Sequence, residues 1–435
     1  MNYHILTYGC QMNVRDSEII AGLVEDLGYM ETDDPAKADL IIFNTCSVRH
    51  SAENKVFGKL GEIMKLKSQG NDVLIAFGGC MAQIPENRTR LKKQGVDIVF
   101  GTHNLHELPQ LIREAEHSRP ICKVWDNYSG QVIEPLLTKR RPGVSAFVNI
   151  MYGCNNFCSY CIVPYTRGRE RSRLPSDIIN EINQLADQGY QEVTLLGQNV
   201  NSYGLGLAEM VDFADLLVLA NKVDGIKRIR FTTSHPKDMS DKLIDTIANC
   251  DKVCEHVHVP LQAGSDKVLK LMNRGYNREH YLALVTKIRS RIPEVAITSD
   301  LIIGFPGENE KDFEDTLDMV NKVRFDAAFT FMYSPRSGTK AEKLGDQVAL
   351  EDKKERLNRL NQIQYSIASE INRSLEGSIQ EVLVEGPSKK NPDILSSRTR
   401  NNRIVLFPGT KDLSGKLINV KITEGKTFSL YGELV

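Results

Sequence analysis

Short apolar runs of strand length alternate with helical patterns along the first part of the chain. Residues 4–8, 40–43 and 73–77 are such runs. Between the first two, Ile19, Ile20, Leu23, Val24 and Leu27 share one helical face, with Asp16 as the expected N-cap and Gly28 closing the helix. Strand, helix, strand in succession predicts a doubly wound parallel sheet with right-handed crossovers. After a polar stretch at 126–143, read as a linker, the alternation becomes more regular. Strands are expected to begin near Phe147, Val193, Arg228, Val257, Ala296 and Ala327, with helices at 176–188, 212–223, 240–248, 278–291 and 308–323. Six strand–helix units fall short of a closed eight-fold barrel, so the pattern predicts an open, partial (β/α)6 barrel with its chemistry at the C-terminal strand ends.

A long polar helix at 350–375 follows, and then the period changes. Residues 379–384, 403–407, 417–422 and 428–434 read as short strands separated by Gly, Pro and Asn, the pattern of a small β-barrel. The expected organisation is therefore an α/β domain at 1–125, a linker at 126–143, a partial barrel at 144–375 and a β-barrel at 376–435.

Charge adds one exclusion. Lys and Arg number 55 against 56 Asp and Glu, a net charge of -1, which rules out a uniformly basic nucleic-acid coat but leaves room for local basic patches. No long apolar run suggests a membrane span, and the N-terminal residues carry no export pattern, so a cytoplasmic protein with reduced thiols is expected.

Nine cysteines are too few for a disulfide scaffold in 435 residues, and their spacing points to metal or redox chemistry. Cys154, Cys158 and Cys161 form C-x3-C-x2-C directly after the first strand of the partial barrel. Three thiolates can hold a four-iron cluster and leave one iron open to chelate a substrate. A structural zinc site would demand four ligands, and no fourth Cys or His follows nearby. Cys10, Cys46 and Cys80 each sit just past a predicted strand, so parallel strands would bring them to one sheet edge, where doubly wound folds bind ligands. Taken singly, a Cys after a strand is most often a buried small hydrophobe, and it is the threefold coincidence that favours a ligand role. Cys122, Cys250 and Cys254 are expected in the core. The fragment GLGLAE near Gly204 lacks the third glycine and the strand–turn–helix context of a dinucleotide loop.

These motifs resemble the radical S-adenosylmethionine (SAM) superfamily. The stretches YGCQMN, NTCSVR, GGCMAQ, CNNFCSYCIVPYTRGRERSR, LLGQNVNSYG, RIRFTTSHP, VPLQAGSD, SDLIIGFPGE and FMYSPRSGT together resemble its methylthiotransferases, most closely the MiaB-type tRNA-2-methylthio-N6-dimethylallyladenosine synthases. The likeness spans the chain and implies that the terminal barrel is a TRAM domain that binds RNA. It implies two 4Fe–4S clusters with three Cys ligands each: a SAM-binding one on Cys154, Cys158 and Cys161, and an auxiliary, sulfur-delivering one on Cys10, Cys46 and Cys80. The implied reaction replaces hydrogen on carbon 2 of N6-isopentenyladenosine at tRNA position 37 with a methylthio group, SAM serving both as methyl donor and as source of a deoxyadenosyl radical. An unactivated C–H bond of that kind needs a cofactor-borne radical, since no side chain supplies one.

The resemblance also suggests SAM contacts at Tyr160, Gly197, Gln198, Asn199, Gln262, Ser265 and Asp300. For Tyr160 a core role and for Ser265 a turn role are the alternatives, and no acid replaces the Gly-Gly-Glu contact common in the superfamily. Two basic runs suit phosphate contacts flanking a splayed base. One is RGRERSR, with Arg167, Arg169 and Arg171. The other, at 387–403, carries Lys389, Lys390, Arg398, Arg400 and Arg403 against Asp393 alone. Expected partners are a tRNA anticodon stem–loop and a low-potential electron donor of flavodoxin or ferredoxin type, with the chain a monomer. Alternative substrates are threonylcarbamoyladenosine in tRNA or an aspartate of a ribosomal protein. A non-catalytic RNA-binding protein whose clusters sense redox state is the alternative of another class.

Overall fold

The computed structural model describes residues 1–47, 50–68, 72–126, 130 and 138–435, so most of the expected linker lies outside the described residues. The chain divides into two compact units. The first comprises Met1–Arg141, Met151–Phe157 and Cys161–Arg173; the second comprises Pro142–Ile150, Cys158–Tyr160 and Leu174–Val435. The division is not the linear one expected from composition, because most of the segment around the C-x3-C-x2-C motif packs with the N-terminal unit.

In the first unit the strands β1 (Asn2–Thr7), β2 (Met30–Glu31), β3 (Leu40–Thr45), β4 (Leu74–Gly79), β5 (Ile98–Phe100) and β6 (Ile121–Lys123) form a sheet in the order β2-β1-β3-β4-β5-β6. Every pairing is parallel. The helices α1 (Gln11–Glu25), α2 (His50–Ser68), α3 (Pro85–Lys93) and α4 (Leu108–Ala115) connect them. Period-two alternation feeds two cores. Leu40, Ile42, Leu74 and Ala76 pack with α1 and α4, whereas Ile41, Phe43, Ile75 and Phe77 pack with α2 and α3. Strand order reverses between β1 and β3, which is the switch point where such sheets take ligands.

Asp16 does not cap α1. The helix starts five residues earlier at Gln11, where Cys10 is the N-cap and its backbone N–H donates to Asn13 Oδ1 at 3.3 Å. Lys139, Arg140 and Arg141, expected in a free linker, pair with Glu25 and Glu31, Glu18, and Glu31 respectively. Cys122 is exposed rather than in the core, because β6 is an edge strand.

The second unit begins with β7 (Ser145–Asn149). Two short strands, β8 (Met151–Tyr152) and β9 (Arg171–Ser172), flank the short helix α5 (Val163–Thr166) and pair with each other within the first unit. The remaining strands of the partial barrel are β10 (Glu192–Leu196), β11 (Arg228–Phe231), β12 (His256–His258), β13 (Ala296–Ile303) and β14 (Ala327–Met332). They form two parallel three-stranded sheets, β11-β10-β7 and β12-β13-β14, joined by a parallel bridge from Ile229 to Val253. The helices are α6 (Pro175–Asp187), α7 (Phe213–Asn221), α8 (Asp241–Asn249), α9 (Asp266–Leu271), α10 (Arg278–Arg291) and α11 (Glu310–Val323), then the long α12 (Leu350–Arg373). All six expected strands are present, and α9 is an addition.

The terminal segment is a closed barrel of β15 (Ile379–Pro387), β16 (Ile394–Thr399), β17 (Ile404–Pro408), β18 (Leu417–Gly425) and β19 (Leu430–Leu434), in the order β15-β16-β17-β19-β18. It meets the partial barrel at the N-terminal ends of that barrel's strands. Arg228 Nη1 donates to the Arg398 carbonyl at 2.6 Å, and Arg230 Nη1 and Nη2 to the Arg400 and Thr399 carbonyls at 2.7 and 2.8 Å. Both arginines are buried and carry counter-charges: Glu381 at 2.9 Å for Arg228 and Glu192 at 2.7 Å for Arg230. No helix is long and apolar enough to cross a membrane among the described residues.

Candidate iron–sulfur sites

The register of the first sheet sets the N-terminal cysteines side by side. Thr7 lies opposite Asn44, and Thr45 opposite Gly79, so the strands preceding Cys10, Cys46 and Cys80 end level. Gly79 makes that approach possible. It holds φ +90, and a Cβ there would meet the Thr45 carbonyl at 2.3 Å. A buried amide network then locks the three turns. Asn13 Nδ2 donates to Asn44 Oδ1 and to the Thr45 carbonyl, both at 3.2 Å, while Asn44 Nδ2 donates to the Asn13 carbonyl at 2.8 Å. Thr45 Oγ1 donates to the Gly78 carbonyl at 2.7 Å.

The Cys46 thiol interacts electrostatically with those of Cys10 and Cys80, and Cys10 Sγ donates to Asn13 Oδ1 at 3.5 Å. The interaction with Cys46 draws the Cys10 and Cys80 thiols down, with the Arg167 charge acting in the same sense, while Cys46 is pushed up. Arg167 is 4% exposed, and its Nη2 donates to Asp16 Oδ2 at 2.7 Å. Its charge also acts on the Cys80 thiol, in the sense that favours the thiolate. This corrects the expectation for Arg167: its guanidinium is buried beside the thiols and is not a surface reader of phosphate. Arg171 Nη2 meets His103 Nδ1 at 3.1 Å, so part of its donor capacity is also spent internally. The His103 imidazole is held down to about 4, first by burial and then by Arg171 and Arg167. Arg169 is exposed, with its guanidinium 4.3 Å from the Phe157 ring.

Around the second motif, Cys154 and Cys161 belong to the first unit and Cys158 to the second. Cys154 Sγ accepts from Asn156 Nδ2 at 3.5 Å, and its N–H donates to the Gly168 carbonyl at 3.1 Å. Cys158 is buried and accepts from Arg274 Nη1 at 3.2 Å. Among the described residues no three Cys, His, Asp or Glu side chains converge as a single-ion site. Within each unit the donor chemistry suits thiolate ligation of iron: Arg167 lies near the thiols of the first sheet, and Arg274 donates to Cys158 in the second unit.

The expected SAM contacts separate by geometry. Gln262 is 7% exposed with φ 71, and its Oε1 has no hydrogen-bond partner among the described residues. Asp300 is half-buried, 3.5 Å from His258 Nε2. Tyr160 packs against the cluster around Met272, Phe305 and Tyr333. Gly197 and Gln198 follow the end of β10. Two of these side chains are bonded within the fold. Asn199 Nδ2 donates to Asp238 at 2.7 Å and its Oδ1 accepts from the His235 N–H at 3.1 Å, so the side chain ties loops together. Ser265 caps α9 and donates to Asp312 at 2.7 Å, which spends its hydroxyl in the fold.

The terminal basic run also needs revision. Arg400 pairs with Glu255 at 2.7 Å and Arg403 with Asp326, both at the junction of the two barrels. Arg398 pairs with Glu385 at 2.6 Å. Lys389 and Lys390 are exposed and make no ion pair among the described residues. Sequence reasoning missed Arg167 as a partner of the thiols, and it missed His103 and Arg274 altogether.

Comparison with known proteins agrees with this architecture. A family model described as the radical SAM superfamily matches residues 148–320, one described as uncharacterized protein family UPF0004 matches 2–101, and a TRAM domain model matches 373–435. A Syntrophomonas wolfei protein named tRNA-2-methylthio-N(6)-dimethylallyladenosine synthase is 68% identical over 435 residues, covering 100% of this chain and 98% of that one. A protein of the same name from Carboxydothermus hydrogenoformans is 55% identical, covering 100% and 99%. Among solved structures, the radical SAM methyltransferase TsrM from Kitasatospora setae superposes with a TM-score of 0.59 at 16% identity, covering 78% of this chain and 74% of that one. That likeness bears on the fold alone. With thiols at the switch point of the first sheet, a second cysteine motif after β7 and a terminal five-stranded barrel, the chain belongs to the radical SAM methylthiotransferase family of these synthases.

Proposed function

We infer that this chain methylthiolates carbon 2 of N6-isopentenyladenosine at position 37 of tRNA. The observation that carries the reading is the full-length match, 68% identical, to a relative so named. Cys154, Cys158 and Cys161 would hold a SAM-binding 4Fe–4S cluster, and Cys10, Cys46 and Cys80 an auxiliary one. When bound, these groups and SAM supply what the side chains lack: an electron, a deoxyadenosyl radical to abstract hydrogen, and a methylated sulfur for insertion.

The protein's own residues prepare the sites. The Asn13–Asn44 network fixes the three turns that carry the N-terminal thiols, so little ordering remains when ligands bind. Arg167, neutralised on its other side by Asp16, balances negative charge at Cys80. Gln262 offers a buried, unpaired carbonyl to a donor such as the methionine amine or a ribose hydroxyl of SAM. Asp300, Tyr160 and the Gly197–Gln198 turn complete the proposed SAM contacts. Exposed Arg169, Lys389 and Lys390 are the cations left for phosphate, in keeping with a tRNA anticodon stem–loop as substrate. A flavodoxin or ferredoxin type donor, a cytoplasmic location and a monomeric state accompany this reading.

The test is nucleoside mass spectrometry of prenylated tRNA after incubation with the anaerobically reconstituted protein, SAM and reductant. The 2-methylthio nucleoside is expected. Cys154→Ala should abolish deoxyadenosine release from SAM, whereas Cys46→Ala should retain much of it and lose the methylthio product. Product from the Cys46→Ala protein would refute the auxiliary assignment. A protein that releases no deoxyadenosine would be a sensor rather than an enzyme.

A further inference from the structure

In the second unit a guanidinium lies against Cys158 with no carboxylate paired to it among the described residues. Arg274 is 5% exposed. Its Nε donates to Tyr276 Oη at 2.9 Å, Nη2 to the Pro260 carbonyl at 3.0 Å and Nη1 to Cys158 Sγ at 3.2 Å. Tyr276 Oη is itself anchored on the carbonyls of Pro260 and Leu261, at 3.0 and 2.9 Å. The guanidinium is thus gripped from two sides and its remaining arm is aimed at sulfur. His235, whose ring packs edge-on against Tyr276, is held down to about 2 by burial and then by the Arg274 charge, so it brings no second cation.

A buried ion costs several kcal/mol unless it is paired. Elsewhere in this unit that rule is obeyed with carboxylates: Arg228, Arg230 and Arg356 have Glu381, Glu192 and Glu308 within 2.9 Å. Among the described residues Arg274 has three acceptors, a phenol, a carbonyl and a thiol. Of these, only Cys158 becomes an anion under ordinary conditions, and it does so by ligating metal as a thiolate.

We propose that Arg274 is a positioning residue for the cluster held through Cys158, a charged donor to the ligand sulfur that sets the ease of its reduction. Accepting an electron makes a cluster more negative, and a fixed cation with an N–H···S bond stabilises that state, so reduction by a low-potential donor becomes easier. The inference rests on the assignment of Cys154, Cys158 and Cys161 as ligands.

The test uses the full chain carrying Cys10→Ala, Cys46→Ala and Cys80→Ala, so that any cluster belongs to the other motif. Iron content and an EPR-monitored redox titration are the readouts. Arg274→Gln is expected to bind iron and to shift the midpoint potential negative. Arg274→Lys should shift it less, because the charge is kept. Tyr276→Phe, which frees Nε, should shift it in the same direction by a smaller amount. An iron-loaded Arg274→Gln protein with the parent's potential overturns the proposal. Should Arg274→Gln bind no iron, Tyr276→Phe decides, and an unchanged potential there overturns it. A parent that binds no cluster refutes the ligand assignment instead, and iron content separates the two failures.

Discussion

At the scale of single residues, buried charges with one specific partner dominate the N-terminal site. Asp16 and Arg167 are 2% and 4% exposed. Removing one partner of such a pair strands the other charge, at a cost of about 3–5 kcal/mol. Asp16→Ala is therefore expected to lower urea-unfolding stability by about that much, and Asp16→Ala with Arg167→Leu to recover part of the loss. A single variant that unfolds like the parent would show the pair to be solvated. His103 gives a pH signature. Its folded-state value of about 4 lies below the 6.5 of the unfolded chain, so on acidification the unfolded chain takes the proton first. Its contribution is complete above pH 6.5 and drains away as pH falls toward 4. Between pH 7 and pH 5 the parent should lose about 2 kcal/mol more stability than His103→Gln. Chemical denaturation at the two pH values measures the difference, and equal losses would mean that His103 protonates freely in the fold.

At the scale of elements, legibility followed burial. Strands such as β3 and β4 are buried at every position, which leaves unbroken apolar runs in the sequence, and β10 and β11 of the partial barrel were readable for the same reason. The strand β16 was hidden because its inward residues include Ser397 and Thr399, so hydrophobic alternation is absent. Ser397 is accommodated by donating to the Val405 carbonyl at 2.9 Å. The short strands β2, β5 and β6 offer too few residues for any period to show. The cysteines were legible by their place after strands, whereas the partners of their sulfurs were not. Arg167 finds Asp16 across 151 positions and Arg274 finds Cys158 across 116, separations that no local pattern encodes. The ion pairs of the run at 398–403 were hidden for the same cause, since composition reveals the charge but not Glu255 and Asp326 waiting at the ends of other strands. That junction is testable. Arg230→Met leaves Glu192 buried without its cation and two carbonyls without their donor, so a loss of about 3–5 kcal/mol is expected in urea unfolding. A loss below about 1 kcal/mol would mean that water replaces the guanidinium.

At the scale of the whole molecule, a net charge of -1 means that long-range attraction to RNA is weak, and affinity must come from a few local cations. Each phosphate neutralised on a single strand contributes about 0.7 to the slope of log affinity against log salt. Lys389→Gln with Lys390→Gln should therefore reduce that slope by about 1.4 for a prenylated anticodon stem–loop, and Arg169→Gln by about 0.7. Arg400→Gln provides the contrast. Its guanidinium already holds Glu255, so removing it should lower stability and leave the salt slope of the folded protein unchanged. The two lysines are the sharper probe because they make no ion pair among the described residues, and their loss alters charge without disturbing the fold. If Arg400→Gln flattened the slope while the lysine pair did not, the cations at the barrel junction would be the ones that meet RNA, and the ion pairs with Glu255 and Asp326 would have to open on binding.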